Sequence, residues 1–264
     1  MDLKLQGKTA FITGSTSGIG FATAKVLAEE GVHVILNGRK RESLNAAIKK
    51  LNAMVPESKV SGIAMDFAKS NAMDDLIKAI PKIDILINNV GMYTAQSFFD
   101  TTDKDWQQQL EVNMMSGVRL SRYFLPKMQE ANWGRILFVS SECAVLVPED
   151  LIAYSVTKAA LLALSRGLAQ LTKGTGVTVN TIVPGSTLTE GAATFLEEKA
   201  IAENKTAKAV EEDFFKEVRT SSLLQRFATP EEVAHTLAYY ASPLAAAING
   251  AAIKVDGGSI GGIL

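Results

Sequence analysis

Three side chains that can move or hold a proton lie within one eighteen-residue stretch, SECAVLVPEDLIAYSVTK: Ser141, Tyr154 and Lys158. Tyr154 and Lys158 are four residues apart, which on a helix puts them on one face, one turn apart. A lysine ammonium one turn from a phenol favours the phenolate and lowers the tyrosine pKa from its reference of about 10. A tyrosine tuned that way gives or takes a proton near neutral pH. Ser141 follows the apolar run Ile136 to Val139. That places it at the C-terminal end of a strand, where α/β folds keep their sites. The same Y-x-x-x-K spacing also occurs in a surface pair on an amphipathic helix, so the elements around it decide.

The first of these elements is a glycine-rich turn. Lys8 to Thr13 reads as a buried strand, Gly14-Ser-Thr-Ser-Gly18-Ile-Gly20 follows, a helical pattern runs from Ile19 to Glu30, and Val32 to Asn37 is a second strand. Glycines let the backbone approach a phosphate, and the helix N-terminus supplies N–H donors and a positive dipole end. Strand, glycine turn, helix and strand in that order favour dinucleotide binding over a mere tight connection, although the spacing is G-x-x-x-G-x-G. A dinucleotide domain that prefers NAD places an acid at the end of the second strand. Here Asn37, Gly38, Arg39, Lys40 and Arg41 stand there, and the first carboxylate is Glu42. Read as a site, the three cations attract a 2′-phosphate, and Arg39 takes it bidentately. Read otherwise, they are the basic start of a helix. The first reading predicts NADP(H) in preference to NAD(H).

Composition narrows the class. The chain has 264 residues, a hydrophobic content of 47%, a charged content of 21% and a net charge of −1. That is ample for a sizeable core and gives no electrostatic case for nucleic acid or an anionic membrane surface. One cysteine, Cys143, excludes an intramolecular disulfide framework and suits a reducing compartment. His33 and His235 with that cysteine make no metal-ligand cluster, so no metal is expected. No apolar run reaches the ~20 residues of a membrane span, and the start of the chain has no leader pattern. A cytoplasmic enzyme is expected.

The remaining chain alternates strand and helix. Arg41 to Met54 is a helix, and Lys59 to Met65 is a strand ending at Asp66, which either accepts from an adenine amine or caps a helix. A short helix is predicted over Asn71 to Ala79, then a strand from Asp84 to Ile87 ending in Asn88-Asn89-Val90-Gly91. Gly91 lets backbone pass close to a ligand, or the turn is purely structural. Asp103 to Glu130 reads as one long helix, with Pro126 bending or ending it. Asn113 inside it, a poor helix former, either points to solvent or relays a proton. After the strand Arg135 to Ser140 comes a loop, and then Ala153 to Thr172 is the helix of Tyr154 and Lys158. Its flank of Ala159, Ala160, Ala163 and Gly167 serves either sheet packing or a subunit interface. Val177 to Val183 is the sixth strand, closed by Pro184-Gly185-Ser186-Thr187-Leu188-Thr189. Glu190 to Leu224 is charged and helical and reads as an inserted lid over substrate. Phe195, Leu196, Ile201, Phe214 and Phe215 either line a pocket or pack that lid down. A helix begins at Thr229-Pro230-Glu231-Glu232, and Ala252 to Asp256 is a last strand. The pattern predicts one domain over residues 1–264, an α/β doubly wound parallel sheet with the lid at 190–224.

These pieces resemble, in order and spacing, the classical short-chain dehydrogenase/reductase family over essentially the whole chain. They are Thr13-Gly14 to Gly18-Ile19-Gly20, Asp66, Asn88-Asn89-Val90-Gly91, Asn113, Ser141, Tyr154 to Lys158, Pro184-Gly185 with Thr189, and Val255-Asp256-Gly257-Gly258. The resemblance implies a seven-stranded Rossmann sheet ordered 3-2-1-4-5-6-7 and a tetramer, or a dimer. It implies Tyr154 as general acid/base, Ser141 holding the substrate oxygen, Lys158 on the nicotinamide ribose, and Asn113 holding a water in a proton relay. It further implies a pyrophosphate cradle from Thr13 to Gly20, with Gly14, Ser15, Ser17, Gly18, Ile19 and Gly20 on the cofactor, and Asp66 and Phe67 at the adenine. Asn89, Val90 and Gly91 flank the cofactor, and Pro184, Gly185, Thr187 and Thr189 meet the nicotinamide carboxamide. Val90 stands where the family usually has Ala. Glu142 and Cys143 follow the serine where small residues are usual, so Glu142 either faces solvent or contacts a cationic or hydroxylated substrate. Cys143 reads as a small buried hydrophobe or a reactive thiol.

The expected function is NADP(H)-dependent interconversion of a carbonyl and a secondary alcohol. A 3-oxoacyl thioester is the commonest substrate of such sequences, but Lys127 to Trp133 is nearly neutral and the lid is acid-rich, against a carrier-protein partner. A small ketone, sugar or cyclic alcohol competes with it. The rivals are a catalytically silent dinucleotide-binding regulatory protein and an epimerase or dehydratase on the same fold.

Overall fold

A computed structural model describes residues 1–69 and 72–263 of the chain. In chain order, β1 (Thr9–Ile12), α1 (Gly18–Glu29), β2 (His33–Gly38), α2 (Arg41–Met54) and β3 (Val60–Ala64) come first. Then follow α3 (Ala72–Ala79), β4 (Ile85–Asn88), α4 (Asp103–Leu110), a π-helical turn (Glu111–Met115) and α5 (Ser116–Glu130). β5 (Gly134–Val139), the single turn α6 (Cys143–Leu146), α7 (Ile152–Leu171) and β6 (Val177–Pro184) are next. α8 (Glu190–Glu203), α9 (Ala207–Glu217), α10 (Pro230–Ala241) and β7 (Ala252–Val255) complete the chain. The predicted start of α3 at Asn71 lies outside the described residues.

The strands form one parallel sheet ordered β3-β2-β1-β4-β5-β6-β7, the order the resemblance implies. The chain reverses direction of travel between β1 and β4, and strand C-termini open a crevice there. Strand side chains alternate between two cores, as the two-residue period of a strand requires. Ile12, Ile85, Ile87, Leu137 and Val139 pack under α1, α2 and α10. Phe11, Leu86, Ile136 and Phe138 pack under α5 and α7 on the other face. β5 and β6 are buried along their whole length, which is why they read as continuous apolar runs.

Two expectations are corrected here. The long helix expected over Asp103 to Glu130 is broken by the π turn Glu111–Met115, whereas Pro126 stays inside α5. A π turn adds a residue to the helical ladder and re-aims the side chains on it, and the residue at its centre is Asn113. The loop expected after Ser141 holds the turn α6, which ends at Val147 in the left-handed region (φ 45°). The small-residue flank of α7 is not covered by the sheet: Ala163 and Gly167 are exposed.

Candidate active site

The glycine turn is built first. Gly18 adopts φ +55°, a conformation that side chains with a Cβ resist, and a Cβ on Gly20 would come within 2.5 Å of the Gly14 carbonyl oxygen. Asn89 Nδ2 donates to the Thr13 and Gly14 carbonyl oxygens, both at 2.9 Å. The Asn89 and Val90 N–H groups both donate to Thr13 Oγ1 at 2.9 Å. The end of β4 is thereby tied to the end of β1. Asn37 Oδ1 accepts from the Gly14 N–H at 3.0 Å while its Nδ2 donates to Ile63 and Met65 carbonyls.

The result is a cleft lined by Gly14, Ser17, Asn37, Arg39, Asp66, Phe67, Asn89, Val90 and Gly91. Ser15 behaves differently. Its hydroxyl donates to Ile12 O and accepts from Asn37 N–H, and its own N–H bonds Asn37 O, so Ser15 holds the turn. Thr16, within the expected cradle, lines the cleft instead. Asp66 Oδ1 accepts from the Ala68 N–H at 3.1 Å, a local turn that leaves Asp66 on the cleft wall. Arg39 is exposed, and no ion pair within the described residues holds it.

A second cleft of about 600 Å³ shares Ser17, Asn89 and Gly91 with the first. That volume suits a small ligand. It is lined by Gly18, Ile19, Gly20, Ser141, Tyr154 and Lys158 together with Pro184, Gly185, Thr187 and Thr189. The three chemistry-bearing side chains thus meet in one place. Ser140 Oγ donates to the Lys158 carbonyl at 2.8 Å, fixing α7 against β5. The Glu142 N–H donates to Pro184 O at 2.8 Å, fixing the Ser141 turn against β6.

Lys158 is buried, and its Nζ donates to Val139 O at 2.9 Å and lies 5.5 Å from the centroid of the Tyr154 ring. Burial lowers the ammonium to about 8. Burial also raises the Tyr154 phenol above its ordinary value, while the Ser141 hydroxyl pulls it down. The Tyr154–Lys158 spacing predicts a lowered tyrosine, and in the folded chain desolvation raises it instead. Tyr93, absent from the sequence reading, packs on Tyr154 with ring centroids 5.7 Å apart.

Asn113 does not point to solvent. It is buried, with Oδ1 accepting from the Met92 N–H (2.8 Å) and Nδ2 donating to Met92 O (2.9 Å) and Thr157 Oγ1 (3.0 Å). It joins the loop after β4 to the helix of Tyr154.

The segment Glu190 to Leu224 reaches this cleft at three points. Phe195 and Phe214 line it, whereas Leu196 and Phe215 pack with Val210 and Phe227, and Ile201 is exposed. Glu190 Oε2 accepts from the Gly18 N–H at 2.8 Å. Arg219 Nε donates to Glu142 Oε1 at 2.8 Å. Glu142 is therefore neither at the surface nor free, which corrects the expectation of a solvent-facing acid. Its partner is 77 residues away, too far for any spacing rule to find. Cys143 is buried, and burial pushes its thiol up, which fits the small hydrophobe and not a reactive thiol.

The family model for short chain dehydrogenases matches residues 8–200. The oxidoreductase YvaG of Bacillus subtilis is 47% identical over 260 residues, 98% of each chain. The 3-oxoacyl-[acyl-carrier-protein] reductase FabG of Aquifex aeolicus is 32% identical, covering 98% of this chain and 99% of its own. Among solved structures, L-sorbose reductase from Gluconobacter frateurii complexed with NADPH and L-sorbose has a TM-score of 0.93, with 32% identity over 100% of both chains. The chain belongs to the short-chain dehydrogenase/reductase family. It is an oxidoreductase of that family, acting on CH–OH groups with a nicotinamide cofactor. No helix among the described residues is long and apolar enough to cross a membrane.

Proposed function

We propose that this enzyme interconverts a carbonyl and a secondary alcohol with NADP(H), using Tyr154 as the general acid/base. The observation that carries the reading is the meeting of Ser141, Tyr154 and Lys158 in one cleft that continues into the glycine-turn cleft.

The glycine turn fits a dinucleotide: the Gly18 N–H, on a backbone without Cβ, donates to an anionic group, the carboxylate of Glu190. Gly14, Ser17, Gly18, Ile19 and Gly20 would hold the pyrophosphate, Asp66 and Phe67 the adenine, and Pro184, Gly185, Thr187 and Thr189 the nicotinamide end. When bound, the nicotinamide supplies or accepts the hydride. Arg39 at the mouth supports a 2′-phosphate, and the NADPH-bound neighbour with a TM-score of 0.93 points the same way.

Tyr154 holds its proton in the folded chain and delivers it to the developing alkoxide oxygen. Ser141 donates a hydrogen bond to that same oxygen and keeps it beside the phenol. Lys158, charged at neutral pH, holds the ribose and offsets negative charge on the phenolate left behind. Asn113 fixes the π turn against Met92 and Thr157, and we assign it the water site of the proton relay. Glu190 to Leu224 serves as the substrate lid of a single domain. A homotetramer or dimer in the cytoplasm accords with the uncovered flank of α7 and the single cysteine.

A keto sugar is the first substrate class to try, after the L-sorbose complex, and a 3-oxoacyl thioester the second, after FabG. NADPH oxidation followed against L-sorbose, acetoacetyl-CoA, cyclic ketones and quinones tests the reading. Turnover of one class supports it. Tight NADPH binding with no turnover in either direction would favour a silent binding protein.

A further inference from the structure

The first turn after Ser141 carries a charged group that the hydride chemistry does not use. Glu142 is 3% exposed and lines the catalytic cleft. Its Oε1 accepts twice, from Arg219 Nε at 2.8 Å and from Ser186 Oγ at 2.9 Å. Its Oε2 is buried and accepts from nothing among the described residues. A buried carboxylate oxygen without a donor is costly, by about 1–3 kcal/mol or more, and calls for an occupant.

The partner is under-used as well. Beyond its Nε bond to Glu142, Arg219 reaches among the described residues only Val218 O through Nη1 at 3.4 Å and Cys143 Sγ through Nη2 at 3.7 Å. Both are longer than a good N–H hydrogen bond. Arg219 also lines the cleft that holds Ser141 and Tyr154. The cleft, whose lining includes Phe195, Phe214 and Phe227, therefore holds an unpartnered acceptor beside under-used donors.

The pair is neutral overall, and this decides what it reads. A carboxylate on the substrate would gain Arg219 and meet Glu142 Oε2 as a like charge. A bare acyl chain or unsubstituted ring would leave both groups unpaired in a dry pocket. A hydroxyl both donates and accepts, so vicinal hydroxyls satisfy Glu142 Oε2 and the Arg219 Nη groups together.

We propose that Glu142 and Arg219 form a hydroxyl-reading pair that selects neutral polyhydroxylated ketones and their alcohols as substrates. This rests on the carbonyl/alcohol reading above and names the substrate class of that same site. The pair also reaches from the catalytic turn to the lid, so a bound polyol and a closed lid support each other.

The experiment compares kcat and KM for D-fructose, 5-keto-D-gluconate and cyclohexanone in the wild type, Glu142→Gln and Arg219→Lys. Glu142→Gln replaces the acceptor with an amide of the same shape, and Arg219→Lys keeps the charge if the first variant folds poorly. The expected result is a wild-type kcat/KM for D-fructose at least tenfold above the other two. Glu142→Gln should lower it tenfold or more, chiefly through KM, and change cyclohexanone turnover less than threefold. In the NADPH-loaded Tyr154→Phe protein, sorbitol should bind and Glu142→Gln should weaken that binding by the same factor. A uniform loss across all three substrates, or a wild type preferring cyclohexanone or the anion, overturns the hydroxyl-reading pair and leaves the reaction assignment standing. No turnover of any substrate in either direction overturns the reaction assignment, and the pair with it.

Discussion

The Glu190 carboxylate bonds the Gly18 backbone N–H at 2.8 Å, joining the first residue of α8 to the first residue of α1 across 172 residues of sequence. An acid at the start of α8 thus stands at a helix N-terminus beside a glycine of positive φ, a place where an anionic ligand is well held. If the pyrophosphate sits where we propose, Glu190 and the cofactor compete for one N–H group.

We expect Glu190→Gln to tighten NADPH binding about fivefold, since removing the competing charge is worth ~1 kcal/mol. Fluorescence titration of the apo protein checks this. Unchanged or weaker binding would mean that Glu190 swings clear at no cost.

The proposed preference for NADP(H) rests on Arg39. Arg39→Ala should weaken NADPH binding at least tenfold and leave NADH binding unchanged, because only one of them carries a 2′-phosphate. Equal losses for both cofactors would remove Arg39 from the selectivity argument.

Lys158 gives the chain a pH signature of its own. Burial holds the ammonium down to about 8, against about 10.4 in an unfolded chain. Between these values the unfolded chain binds more protons, so stability rises with pH. The cost of the buried charge is complete below pH ~8 and is relieved as pH climbs towards ~10. The advantage of Lys158→Met over the wild type in apo-protein denaturant unfolding should therefore shrink by roughly 2 kcal/mol from about pH 7 to about pH 10. A pH-independent difference would contradict it.

Much of this was legible in the sequence because it is local. The glycine turn, the helix carrying Tyr154 and Lys158, and the strand ending before Ser141 each follow from spacings of a few residues, and the strand order followed from the family resemblance. What stayed hidden is long-range. Glu142 finds Arg219 77 residues on, and Glu190 finds Gly18 172 residues back. No periodicity encodes either pair. The π turn escaped because its residues, Glu-Val-Asn-Met-Met, have ordinary helical character; what distinguishes it is the contact of Asn113 with Met92 and Thr157. The direction of the Tyr154 shift was missed because spacing reports the neighbouring charge and not the desolvation.

Arg135 shows the same limit in the core. The second residue of β5, it is 1% exposed and donates to the carbonyls of Ser242, Gly134 and Gly176. Truncating it strands those carbonyls and opens a void. We expect Arg135→Ala to cost ~3 kcal/mol or more of unfolding free energy, with Arg135→Lys intermediate. Urea unfolding of the two variants measures this, and a loss below ~1 kcal/mol would contradict the packing account.

The most direct test of the whole account is Tyr154→Phe, assayed side by side for NADPH binding and for turnover of whichever substrate the wild type reduces. The account predicts a turnover loss of about 10²–10⁴-fold with NADPH affinity within about twofold of wild type, because only the proton donor is gone. Substantial residual turnover, with binding intact, would contradict it and place the acid elsewhere.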